Sequence, residues 1–90
     1  MMKTVIFLYN PVSGEAQAVA QLDSIARYYQ QAGYVLTLFR ITRENGLSGL
    51  ARLVEELKPE HLLVAGGDGT VNRLVNYLKH REVEVPIAIL

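Results

Sequence analysis

Apolar positions along the chain fall into short unbroken runs that alternate with longer stretches of helical spacing. Val5, Ile6, Phe7, Leu8 and Tyr9 follow one another with no polar residue between them, the pattern of a parallel strand covered on both faces. A turn, Asn10-Pro11-Val12-Ser13-Gly14, comes next. Val19, Leu22, Ile25, Ala26 and Tyr29 then recur at helical intervals, and Gly33 supplies a stop. Tyr34 to Ile41 is rich in β-branched and aromatic residues and reads as a second strand, while Leu47, Leu50, Val54 and Leu57 form a helical stripe that ends before Pro59. His61 to Ala65 reads as strand three, and Val71, Leu74, Val75 and Leu78 lie on one face of helix three. Val85 to Leu90 begins a fourth strand, with Pro86 near its start, where a missing ladder donor is tolerated.

Strands that alternate with helices through short connections imply right-handed crossovers and a parallel sheet with helices on both faces. The expected fold is therefore α/β, a three-layer αβα arrangement of about four strands and three helices in one domain spanning residues 1–90. A strand order with strand one inside the sheet is expected, either 2-1-3-4 or 3-2-1-4. There is no internal repeat, low-complexity tract or linker. The apolar run at Val5 to Tyr9 is too short for the core of a signal peptide, and no stretch approaches the ~20 apolar residues of a membrane span. A last apolar strand without a return helix is the pattern expected of a domain truncated after strand four.

Composition narrows the chemistry. Nine Lys plus Arg balance nine Asp plus Glu, so there is no overall basic field to gather nucleic-acid phosphates, and a general nucleic-acid binder is disfavoured. The absence of cysteine excludes disulfides, thiol catalysis and cysteine-based zinc sites, and fits a reducing cytoplasm.

The stretch Gly66-Gly67-Asp68-Gly69-Thr70 interrupts the apolar pattern between strand three and helix three. In an open α/β sheet, ligands gather at the carboxyl ends of the strands, where such loops lie. Glycines let backbone amides approach a ligand without Cβ obstruction, and the first amides of a helix stand at its positive end, so the loop favours a phosphate. Asp68 would repel that phosphate unless a cation or water intervened, which suggests Mg²⁺-linked polyphosphate chemistry with Asp68 acting through water rather than as a direct ligand. The plain structural alternative is a tight turn in which Asp68 caps through its side chain and Thr70 is the helix N-cap. The turn after strand one occupies the equivalent position, so Asn10 and Ser13 could add neutral hydrogen bonds beside the same crevice. Neither loop is a GxxxxGK[ST] or GxGxxG motif.

"NPVSG" at 10–14 followed by "GGDGTVN" at 66–72 resembles the amino-terminal half of the diacylglycerol kinase catalytic domain, in its bacterial lipid kinase branch. The wider superfamily includes sphingosine and ceramide kinases, NAD kinases and, more remotely, 6-phosphofructokinases. The resemblance spans essentially the whole chain. It implies a Rossmann-like amino-terminal domain that binds ATP with Mg²⁺, in an enzyme that phosphorylates a diacylglycerol-like lipid hydroxyl in phospholipid metabolism. Position by position, Asn10, Pro11, Val12, Ser13 and Gly14 match the first nucleotide-contacting loop. Gly66, Gly67, Asp68, Gly69, Thr70, Val71 and Asn72 match the triphosphate loop and its approach. Thr42 matches a threonine of the same pocket, and Asn76 an asparagine common in the following helix. Arg73 stands where the family usually carries glutamate; it is placed with the nucleotide-binding residues as a cation able to meet a phosphate, its simpler reading being a solvated helix residue.

The family continues with a Gly-Thr-Asn-Asp segment and a largely β second domain that carries the catalytic base and metal-linked acids. Neither is in this sequence. The resemblance therefore implies a fragment without catalytic residues of its own, inactive alone, from a cytoplasmic protein that associates peripherally with the inner membrane face to reach its lipid. An NAD kinase-like fragment, or a non-catalytic nucleotide-binding module that self-associates through its exposed strand, are the alternatives. His61 and His80 lack metal-ligand spacing, Glu55-Glu56-Leu57-Lys58 reads as a solvated helix face, and Tyr28, Tyr29 and Tyr34 read as core or rim aromatics.

Overall fold

A computed structural model describes residues 2–10 and 20–90. Four strands, β1 (Lys3–Tyr9), β2 (Tyr34–Arg40), β3 (His61–Ala65) and β4 (Ile87–Ile89), form one sheet in the order β2-β1-β3-β4, and every neighbouring pair is parallel. This is the first of the two expected orders. Three helices connect them: α1 (Leu22–Gln31), α2 (Leu50–Leu57) and α3 (Asp68–His80).

The central strands are the most apolar, as the sequence pattern requires. Val5 to Leu8 of β1 and Leu62 to Ala65 of β3 are buried, and alternate residues serve opposite faces. On one face, Ile6, Leu8, Leu62 and Val64 pack with Leu50 and Val54 of α2 and with Leu74 and Leu78 of α3. On the other, Val5, Phe7, Leu63 and Ala65 pack with Ile25 of α1. The chain steps from β1 to β2 under α1 and then crosses back past β1 to β3 and β4 under α2 and α3. The direction of travel across the sheet therefore reverses between β1 and β3, which is where the helices change sides.

Two boundaries differ from the sequence pattern, each for a local reason, and a third, the end of α2 before Pro59, falls where it was expected. Leu47 is buried, yet it belongs to the loop before α2; the helix starts after Gly49, which takes a left-handed conformation with φ +87°. The backbone of α2 ends at Lys58, because the following Pro59 disfavours a helical residue before it. The third helix begins at Asp68, with Gly67 as its extended N-cap and no capping side chain. Thr70 as N-cap is thus corrected: the amides of the glycine loop already belong to the first helical turn, and Val71 N–H donates to the Gly67 carbonyl at 3.1 Å. Pro11, Val12, Ser13, Gly14 and Val19 lie outside the described residues.

Candidate functional site at the carboxyl end of the sheet

Register places the starts of the two loop motifs at one end of the sheet. Tyr9, the last residue of β1, pairs with Arg40 of β2 and with Ala65 of β3. Asn10 and Gly66 therefore leave adjacent strands at the same level, on the two sides of the point where the connections reverse. Such a switch point opens a crevice outside the strand ends, because the helices of the two neighbouring strands depart to opposite faces.

Within the glycine loop the three glycines answer different demands. A Cβ on Gly66 would lie 2.7–2.9 Å from the side chain of Thr70, so glycine there is required by packing. Gly67 has φ −80° and ψ −174°, which any residue adopts, and a Cβ at Gly67 or Gly69 would meet nothing within 4 Å. Gly69 moreover sits in the first turn of a helix, where glycine costs up to about 1 kcal/mol relative to alanine. The fold itself does not ask for glycine at 67 or 69. What these residues leave is an open helix terminus whose amides lack a capping side chain.

Asp68 is exposed at the first position of α3 and makes no hydrogen bond or ion pair with the described residues; its charge suits the positive end of the helix. Asn72 is exposed and Val71 half-buried against the α2–α3 core. Thr42 follows β2 at the same end of the sheet. Its Oγ1 accepts a hydrogen bond from Asn45 N–H at 2.9 Å and its carbonyl accepts one from Gly46 N–H at 2.8 Å, so it organises a tight turn while its hydroxyl proton remains free to donate. Asn10 is half-buried and engaged in an interaction of its own.

Arg73, in the second turn of α3, reaches the turn that Thr42 organises. Its guanidinium packs against the turn after β2, so closely that a Cβ on Gly46 would come within 2.8 Å of Nη2. Both histidines lie elsewhere: His61 opens β3 at the opposite end of the sheet, and His80 closes α3. Among the described residues no group of three or more His, Cys, Asp or Glu is placed to hold a metal ion.

The diacylglycerol kinase catalytic domain is the family whose sequence model matches this chain, over residues 4–90. The chain belongs to that family. It is 31% identical over 77 residues to a diacylglycerol kinase of Bacillus subtilis (strain 168), covering 86% of this chain and 25% of that protein. It is 30% identical over 76 residues to a diacylglycerol kinase of Staphylococcus haemolyticus (strain JCSC1435), covering 84% and 23%, and 26% identical over 90 residues to one of Staphylococcus carnosus (strain TM300), covering 100% and 29%. The chain thus spans about a quarter of the length of these relatives. Among the described residues no helix is long and apolar enough to cross a membrane.

Proposed function

We propose that this chain is the nucleotide-binding part of an ATP-dependent lipid kinase, a phosphotransferase acting on the hydroxyl of a diacylglycerol-like lipid. The observation that carries the reading is the surplus of glycine at 67 and 69, where neither backbone conformation nor internal packing requires it. The remaining demand is close approach by a ligand, and at an uncapped helix start beside a switch point that ligand is a phosphate chain. Asn10 and Thr42 stand at the same end of the sheet as the glycine loop, and the family resemblance adds Pro11, Val12, Ser13 and Gly14, which lie outside the described residues.

Mg²⁺ fits this arrangement only as a companion of the nucleotide. One exposed carboxylate, Asp68, suits an ion held by phosphate oxygens and its own water shell, and when bound it neutralises charge on the transferring group. This chain's residues bind and orient. The loop amides hold the phosphates still, and Asp68 fixes the water shell beside them. Proton removal from the acceptor hydroxyl falls to another part of the full-length protein, because neither histidine described above reaches the crevice. A cytoplasmic enzyme that meets its lipid at the inner membrane face is the corresponding cellular setting.

Gly69→Ala in the full-length protein tests the reading. Thermal stability is expected to stay level or rise, as for alanine replacing glycine in a helix. ATP affinity, measured by calorimetry with Mg²⁺, is expected to fall by about tenfold or more, since the new Cβ occupies the approach path. Unchanged ATP affinity in a folded Gly69→Ala protein would sink the proposal.

A further inference from the structure

The two edges of the sheet are finished differently. At one edge, β4 is three residues long and follows Pro86, which has no N–H to donate; short edge strands and edge prolines keep stray strands from pairing. At the other edge, β2 runs for seven residues from Tyr34 to Arg40 and carries none of these devices. It has no proline, no glycine, no bulge in its register with β1 and no charge before Arg40. Val35 and Leu38 are 41% and 47% exposed, and among the described residues β2 pairs only with β1. A long, apolar, unblocked edge is a template for another strand.

Hydrogen bonds at the two ends of β2 fix which of its backbone groups are already spent. Lys3 N–H donates to the Gly33 carbonyl at 3.1 Å, and Ile41 N–H donates to the Tyr9 carbonyl at 2.7 Å. Along a parallel strand, one residue turns both its N–H and its C=O toward the partner and the next turns both away. Gly33, Val35, Thr37, Phe39 and Ile41 therefore face β1, while Tyr34, Leu36, Leu38 and Arg40 present their backbone groups outward. A second copy of β2, related by a two-fold axis through the central residue Thr37, sets these outward residues against one another as hydrogen-bonded antiparallel pairs, Tyr34 with Arg40 and Leu36 with Leu38. The side chains match in the same register. Tyr34 and Leu36 lie on the α1 face of the sheet and Phe39 on the opposite face, so Leu36 meets Leu38 and the Tyr34 ring meets the Arg40 guanidinium on one face, while Val35 meets Phe39 and Thr37 meets Thr37 on the other. Each of these is a favourable cross-strand pair, and no like charges stand opposite each other.

We propose that the outer edge of β2 is a homodimer interface, in which two copies of the chain pair antiparallel about Thr37 and join their sheets into one. The partner is a second copy rather than an unlike strand, because the sequence of β2, read in reverse, is its own complement. The pairing neither uses nor rests on the nucleotide reading: the glycine loop follows β3, on the far side of β1, and stays open in the dimer.

Sedimentation velocity of the full-length protein tests the proposal. The native protein is expected to sediment as a dimer at micromolar concentration. The V35K/L38K double variant, which replaces exposed apolar side chains with the residue that commonly blocks edges, is expected to raise the dissociation constant at least about tenfold, with an unchanged circular dichroism spectrum. Thr37→Cys supplies a second readout that does not depend on how well the double variant folds. Facing residues of a non-hydrogen-bonded pair have Cα atoms about 4.5 Å apart, within disulfide reach, so oxidised glutathione is expected to convert Thr37→Cys, but not Thr37→Ser, into a covalent dimer. A full-length protein that stays monomeric, as it would if a later segment of its own chain covered this edge, overturns the proposal. So does a dimer that V35K/L38K leaves intact, or one that Thr37→Cys fails to cross-link.

Discussion

The two ends of the parallel sheet are finished in opposite ways. At the amino end, Tyr29 of α1 packs edge-on against Tyr28 and Tyr34 and donates or accepts a hydrogen bond with His61 Nε2 at 3.0 Å, while Lys3 N–H donates to the Gly33 carbonyl. Ring meets ring, and polar atoms there are matched within the fold. At the carboxyl end, the uncapped start of α3, the free carboxylate of Asp68 and the unpaired guanidinium groups of Arg43 and Arg73 face outward. Groups that a fold leaves without an internal partner add little to its stability and are available to something outside the chain. On the function proposed above, the difference divides stability at one end from binding at the other.

That division can be broken by substitution. The largest expected effect is at Asp68: Asp68→Ala in the full-length protein is expected to lower phosphoryl transfer by about 100-fold, the scale of a misplaced reacting group. Its unfolding midpoint is expected to move little, since Asp68 has no internal partner. Loss of stability in step with activity would show that Asp68 holds the loop together, and the contrast between the ends would weaken. Gly66→Ala probes the exception at the carboxyl end. Its Cβ would collide with the Thr70 side chain, and such overpacking costs about 1–3 kcal/mol. Urea denaturation should show that cost at Gly66 but not at Gly69, although the two glycines stand three residues apart.

The same division explains what could be read from the sequence. The strands and helices were legible because their apolar residues repeat at short, regular intervals: Val5 to Leu8 and Leu62 to Ala65 are buried as the unbroken runs require. The glycine loop was legible for a related reason, since backbone recognition needs several special residues in succession. The cleft lined by Arg43, Arg52, Arg73 and Arg81 was not. These arginines come from a loop, two helices and a helix end, and only the packing of α2 beside α3 gathers them. Arg73 drew notice as a departure from the family pattern, but its contact with Gly46 depends on the path of the loop after β2, which no local spacing encodes. Tyr77 was missed although its hydroxyl accepts a hydrogen bond from Ala51 N–H and so pins α2; its place one turn after Arg73 was the available signal. The pairing of Tyr29 with His61, 32 residues apart, is equally a product of the assembled sheet.

A smaller effect is expected at the amino end, and it should be purely one of stability. Tyr29→Phe keeps the ring contacts and removes the bond to His61, so unfolding should cost about 1 kcal/mol less, with ATP binding unchanged. The pH dependence sharpens this. Burial, with the neighbouring Tyr28 and Tyr34 hydroxyls adding to it, holds the Tyr29 phenol above its ordinary value near 10.0. The folded state therefore keeps that proton more tightly than the unfolded chain does. The resulting stabilisation is fully present below the ordinary tyrosine pKa of about 10 and is lost as pH rises through the raised value. Urea midpoints between pH ~8 and ~11.5 should fall more steeply for the native protein than for Tyr29→Phe, the gap between them closing at the alkaline end. Parallel profiles would mean that the amino end is held by ring packing alone, and the polar matching assigned to it would reduce to a contact without energetic weight.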